Sequence, residues 1–325
     1  MKFEFKKYLL AVSSGLAMVC AAVPAAQAAW PERPVEIIVP YTPGGATDTV
    51  TRAVAERLSQ RLGQTFIITN KPGANATIGT AQAARAKPDG YTFVTVLAAH
   101  AVNPHLYKLS YSDSDFTPVS QMADLPLFLF VAKDLPVNNL QELIAYGKKH
   151  PGELTYASSG TGSSAHLTGA NFSHLAGFKM THVPYKGSAP ILTDLLAGRV
   201  SMVFDPILVP MQYAKKGDLK VLAITSLERW KDEPGVPTVA ESGFPGFAMA
   251  SWAGLLAPAG TPDEIVKKLA DEIVAVVQEP GIGEKFHAAG FVPVGQGPKA
   301  FQALIKKDSA MYGDIIRKAG ISVTQ

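Results

Sequence analysis

The chain has 325 residues, with 30 Lys and Arg against 27 Asp and Glu, a formal net charge of +3, 47% hydrophobic residues and one cysteine. Near-neutral charge gives no basis for a nucleic-acid partner or an acidic membrane face. A lone cysteine excludes a disulfide framework and cysteine-based metal binding, and the length is about two domains' worth.

Lys2, Lys6 and Lys7 precede an apolar run over 8–24 and then Ala26-Gln27-Ala28. This is the pattern of a secretory signal peptide, residues 1–28, cleaved after Ala28. A membrane anchor needs about 20 apolar residues and no cleavage site; this run is shorter and ends in Pro24 followed by alanines. Cys20 lies in the segment to be removed and follows Met18-Val19, which is not the context of a lipoprotein signal. Removal takes away three lysines and one glutamate, so residues 29–325 carry a formal charge of +1 and no cysteine. An exported, freely soluble product is expected.

Short β-rich runs then alternate with amphipathic stretches, which points to α/β lobes on largely parallel sheets. Strands are expected over 35–40, 65–69, 91–96, 127–132, 154–157, 200–204, 219–225 and 251–257. Helices are expected over 47–62, 139–149, 164–176, 189–197 and 209–216. Three more follow Thr261, where Pro262 suits a first helical turn and Asp263 and Glu264 favour its positive end. No later segment reads as a linker.

Two strand-to-helix turns carry the functional signal. In one, the strand ending at Pro40 runs into Tyr41-Thr42-Pro43-Gly44-Gly45-Ala46-Thr47-Asp48; in the other, the strand ending at Ala157 runs into Ser158-Ser159-Gly160-Thr161-Gly162-Ser163-Ser164-Ala165-His166. Glycines let the backbone approach a ligand, hydroxyls add donors, and free N–H groups at a helix start carry partial positive charge. The same residue types cap helices that bind nothing. Two such turns in separate halves fit a cleft between lobes, with one anion contact from each side.

Gly160, Gly162 and Ala165 also match a dinucleotide-binding Gly-x-Gly-x-x-Ala, but the acidic residue expected about 20 positions on is missing from Thr181-His182-Val183-Pro184-Tyr185-Lys186. No nucleophile elbow, zinc-protease motif or phosphate loop is present. The reading is therefore no enzyme, no cofactor and no metal. His166, His174 and His182 recur every eight residues, a spacing read as chance, with His166 able to face the cleft. Asp205, at the end of a strand, either caps the next helix or receives an ammonium or hydroxyl from a ligand.

At these residues the chain resembles the Bug family, the periplasmic substrate-binding proteins of tripartite tricarboxylate transporters. The similarity runs through Trp30-Pro31-Glu32-Arg33-Pro34, the 39–48 loop, Lys87-Pro88-Asp89-Gly90-Tyr91-Thr92, Asn103-Pro104-His105-Leu106-Tyr107 and Pro151-Gly152-Glu153-Leu154-Thr155-Tyr156-Ala157-Ser158. It continues through Gly162-Ser163-Ser164-Ala165-His166-Leu167, His182-Val183-Pro184-Tyr185-Lys186-Gly187 and Val236-Pro237-Thr238-Val239-Ala240-Glu241. The resemblance implies a type II periplasmic-binding-protein fold: two α/β lobes, residues 29–127 plus 228–325 and residues 128–227, with a ligand cleft between them. It implies a monomer in the periplasm that binds a small carboxylate and delivers it to the membrane permease subunits of a tripartite tricarboxylate transporter. The rival role is presentation of the bound form to a membrane sensor kinase. The implied ligand contacts are Tyr41, Thr42, Pro43, Gly44, Gly45 and Asp48 in one lobe, and Ser158, Ser159, Gly160, Thr161, Gly162, Ser163, Ser164, His166 and Asp205 in the other.

Two departures from the family pattern bear on the ligand. Asn75-Ala76 stands where two glycines are common, so Asn75 either contacts the ligand or fills space. Pro206-Ile207-Leu208 replaces small polar residues, leaving a di- or tricarboxylate, an acidic amino acid and an aromatic acid all open. Hinge motion is expected about strands near 128–131 and 221–225.

Overall fold

β-Branched and aromatic residues dominate the runs that form strands. In the computed structural model, which describes residues 30–185, 188–205 and 208–322, the first half runs β1 (Val35–Val39), α1 (Ala46–Leu62), β2 (Phe66–Asn70), α2 (Thr77–Ala84), β3 (Thr92–Leu97), α3 (Ala99–Leu106) and β4 (Phe116–Pro126). The middle runs β5 (Phe128–Ala132), α4 (Leu140–Lys149), β6 (Thr155–Ser158), α5 (Ser164–Ala176), β7 (Thr181–Pro184), α6 (Ser188–Leu196), β8 (Met202–Asp205), α7 (Leu208–Lys216) and β9 (Leu219–Ile224). The chain ends with β10 (Ala250–Pro258), α8 (Asp263–Val277), α9 (Pro280–Ala288), β11 (Val292–Gln296) and α10 (Pro298–Ala319). The expected signal peptide and its cleavage site, and Pro206-Ile207, lie outside the described residues.

The strands build two sheets, in the orders β11-β4-β10-β3-β1-β2 and β7-β6-β8-β5-β9. Both are mixed, which corrects the expectation of largely parallel sheets. The β3-β1-β2 and β7-β6-β8 parts are parallel, whereas β10 runs antiparallel to β3 and β4, β11 to β4, and β5 to β8 and β9. The antiparallel members come from the way the chain passes between sheets. It leaves the first through β4, enters the second at β5 with only Leu127 between them, and returns through β10.

The return segment, 225–249, has little regular structure but is packed, with Trp230, Val236, Val239, Phe247 and Met249 buried. Both crossings meet at Thr225, which is fully buried. Its Oγ1 accepts the Leu127 N–H at 2.9 Å, its own N–H donates to the Leu127 carbonyl at 2.9 Å, and its carbonyl accepts the Met249 N–H at 3.2 Å. An apolar core extends from Val94 and Val96 in the first sheet, through Trp252, to Leu129 and Phe204 in the second. α10 covers β4 and packs on α3 and α5; Phe301 on α10 sits directly over Gly254, where an added Cβ would overlap its ring.

The Thr225 arrangement yields a stability prediction. Thr225→Val preserves shape but leaves the buried Leu127 N–H without its partner, a loss of about 1–3 kcal/mol. Thermal unfolding should show a midpoint lowered by several degrees, with Thr225→Ser close to wild type.

Candidate functional site

The loops after β1, β2 and β3 leave the carboxyl edge of three adjacent parallel strands, and those after β6, β7 and β8 leave the matching edge of the second sheet. Carboxyl edges that lead into helices collect backbone N–H donors. In the first sheet the residues before α1, α2 and α3 are Gly45, Ala76 and Ala98, and none makes a side-chain cap. Ser, Thr, Asp or Asn there would satisfy first-turn N–H groups. Three helix starts therefore stand side by side without a side-chain cap, although the Thr77 N–H of α2 donates to the Ala74 carbonyl at 3.1 Å and the Ala101 N–H of α3 to the Ala98 carbonyl at 3.0 Å.

The first loop is held from within. Tyr41 Oη accepts the Leu97 N–H at 3.2 Å, and burial raises its phenol pKa. Thr42, Pro43 and Gly44 are exposed, with Gly44 at φ +78°, and the Gly45 N–H turns back to the Thr42 carbonyl at 3.4 Å. Asp48 is buried beneath them. Its carboxylate accepts from the Gly44 N–H at 2.9 Å, Arg52 Nε at 2.8 Å and Asn70 Nδ2 at 2.8 Å. Burial alone would push its pKa up; the bonds from Arg52, Asn70 and Gly44 outweigh that and hold it below the usual carboxylate range. Asp48 thus fixes the loop's shape and neutralises Arg52 inside the chain.

The second loop explains the departure at 75–76. Ala74, Asn75 and Ala76 have φ of +45°, +50° and +72°, left-handed backbone that costs roughly 1–2 kcal/mol per non-glycine residue and that glycine adopts freely. Reciprocal bonds hold it: Asn75 Nδ2 donates to Asn103 Oδ1 at 2.8 Å, and Asn103 Nδ2 donates to the Asn75 carbonyl at 2.9 Å.

In the second sheet, Ser158 is buried at the end of β6. Ser159 is exposed, while Gly160 and Gly162 take φ of +131° and +81° around half-buried Thr161. Ser163 caps α5 by accepting the His166 N–H at 3.3 Å, and Ser164 opens the helix, half-buried. The Gly162 N–H donates to His166 Nδ1 at 3.1 Å, so that donor is engaged within the turn. An added Cβ at Gly162 would overlap Leu106 and lie 3.6 Å from Val102, both on α3. The second turn thus packs against a helix of the first sheet. Asp205 is buried at the end of β8, paired in register with Phe128 of β5.

Two of the three evenly spaced histidines meet through topology rather than through their spacing. His166 and His182 stack with ring centroids 3.7 Å apart and planes within 5°, while His174 is exposed. All three line a cavity of about 750 Å³ that contains no residue of the 41–48 loop and is bounded by Lys179 and Lys318. Among the described residues no group of three or more His, Cys, Asp or Glu could hold a metal ion. Sequence reasoning gave no role to Asn70, Asn103 and His182. Each acts across chain separations that no local motif spans, although Asn75 in a glycine position was a usable signal.

The sequence profile described as "Tripartite tricarboxylate transporter family receptor" matches residues 50–321. Among solved structures, the periplasmic binding protein BugD is 36% identical, covers 90% of this chain and 100% of its own, and superposes with a TM-score of 0.76. Rpa4515 of R. palustris, solved with adipate, is 37% identical over 90% of this chain and 100% of its own, with a TM-score of 0.79. MatC from Rhodopseudomonas palustris, with bound malate, is 31% identical over 88% of this chain and 100% of its own, with a TM-score of 0.73. The two-sheet α/β fold, the loops at both carboxyl edges and these matches lead to one conclusion: the chain belongs to the tripartite tricarboxylate transporter receptor family, the Bug family, whose members are solute-binding proteins and not enzymes.

Proposed function

We propose that the chain is exported to the periplasm after cleavage at Ala28, captures a small dicarboxylate between two lobes as a monomer, and delivers it to the permease of a tripartite tricarboxylate transporter. The observation that carries this reading is the trio of uncapped helix starts at Gly45, Ala76 and Ala98, together with the Gly160–Gly162 turn packed against α3. Neutral N–H donors at helix starts suit carboxylates, and ligands named for two relatives, adipate and malate, are dicarboxylates. The lobes follow the sheets: residues 29–127 with 228–325, and residues 128–227. In this account Gly45 and Ser164 line the cleft from opposite sides, Asp48 shapes the first loop, Asn75 stands beside the α2 start on the Gly45 side, and Asp205 receives a hydroxyl or ammonium where the ligand carries one. A closed form is favoured only through contacts that an open form cannot make.

Thermal unfolding of refolded, ligand-stripped protein against malate, adipate, citrate, glutamate and benzoate tests the ligand class. A ligand at about 100 times its dissociation constant adds roughly 2.7 kcal/mol and raises the midpoint by several degrees; dicarboxylates should do so and benzoate should not. A shift with none of them contradicts the carboxylate reading.

Gly45→Val and Ser164→Val should each abolish that shift while the unliganded midpoint stays near wild type, and His174→Ala should leave it unchanged. Normal affinity in both valine variants would displace the site. Deletion of the protein should stop uptake of the labelled ligand; intact uptake with a lost transcriptional response would favour presentation to a sensor kinase.

A further inference from the structure

His182 lies on β7, outside the turn that follows β6, yet its ring meets that turn twice. Its Nε2 is 2.7 Å from Ser158 Oγ, and its face carries the ring of His166. The hydrogen inventory assigns the protons. Because the Gly162 N–H donates to His166 Nδ1, that nitrogen holds a lone pair and the His166 proton sits on Nε2. Ser158 Oγ donates to the Gly160 carbonyl at 3.0 Å and accepts the Gly160 N–H at 3.2 Å. Its remaining lone pair accepts Nε2–H of His182. Every hydrogen-bonding position on the Ser158 hydroxyl is then filled, and His166 is neutral.

The surroundings agree with neutral rings. Burial, and then the neighbouring His182, pushes the His166 pKa down to about 3; burial pushes that of His182 down to about 4. Tyr156 of β6 packs beside both rings, and the charged groups lining the same cavity are Lys179 and Lys318, with His174 the other titratable neighbour on α5. A proton on His166 Nδ1 would face the Gly162 N–H donor to donor and release it.

The two left-handed glycines of the turn are therefore each tied to one ring, Gly160 through Ser158 and Gly162 through His166, and the rings support each other. We propose that His182 is a positioning residue for ligand capture, acting through Ser158 and His166 to fix the backbone of the Gly160–Gly162 turn. This rests on the capture reading above for its effect on affinity, but not for its effect on the turn.

The test compares wild type, His182→Phe and His182→Gln. Phenylalanine keeps a ring beneath His166 and removes the donor to Ser158; glutamine restores an N–H near the Nε2 position. With malate and adipate as calorimetric probes, His182→Phe should bind about tenfold more weakly, the worth of one hydrogen bond, and His182→Gln should recover most of that. In ligand-free protein the Gly160 amide should exchange faster in the phenylalanine variant and return toward wild type with glutamine. In wild type, ring ¹⁵N shifts should show His166 protonated on Nε2, with neither His166 nor His182 titrating between about pH 5 and 8. If wild type binds neither probe, the capture reading fails and the exchange and ¹⁵N data decide the positioning role alone. Wild-type affinity and exchange in His182→Phe, or titration of either ring in that range, overturns the proposal.

Discussion

The architecture depends on how the chain passes twice between two sheets without loosening either. Thr225 is where this is settled. Its side chain and backbone bind both the N–H and the carbonyl of Leu127 on the outward crossing, and its carbonyl binds Met249 on the return. Held side by side, the crossings fix where β4 ends and β10 begins, and the core shared through Trp252 fills the space between the sheets. Two sheets joined in this way carry helix-bearing loops on the parallel strands β3-β1-β2 and β7-β6-β8, and Gly162 of the second sheet's turn lies against Leu106 at the end of α3.

The buried charge beneath the first loop is paired internally. Arg52 is neutralised by buried Asp48, which at the same time pins Gly44 and Asn70. At the carboxyl edge of the first sheet, three helices start without a side-chain cap on their backbone N–H groups. Such donors are directional and fixed by the backbone. In the second sheet the glycine turn is tied internally, the Gly160 N–H to Ser158, the Gly162 N–H to His166 and the His166 N–H to Ser163.

Much of the fold was legible because β1, β3, β5 and β9 are predominantly apolar runs, and α5 and α8 have clear start signals in Ser163 and in Pro262-Asp263-Glu264. What escaped has physical reasons. β4 contains Pro118, Gln121, Asp124 and Pro126 and shows no alternation, yet it is paired on both sides by β10 and β11. α2 and α3 are eight-residue helices that contain Gly79 and Pro104, and neighbouring structure overrides those local penalties. β7 and β11 are short edge strands, each carrying a proline. Within the site, the two turns were readable as glycine-rich strand-to-helix passages, and the left-handed backbone at 74–76 gives a reason for the glycines common there. The partners that hold the turns were not readable: Asn70 under Asp48, Asn103 against Asn75 and His182 under His166 are contacts made by topology rather than by spacing.

The most direct test of the account is a crystal structure of the mature protein with its best-binding dicarboxylate. The account predicts one carboxylate bonded to backbone N–H groups at the starts of α1 and α2, with contacts from the Gly160–Ser164 turn on the opposite side and no lysine or arginine within hydrogen-bonding distance. A ligand held by one sheet alone, or clamped by a basic side chain, would contradict it.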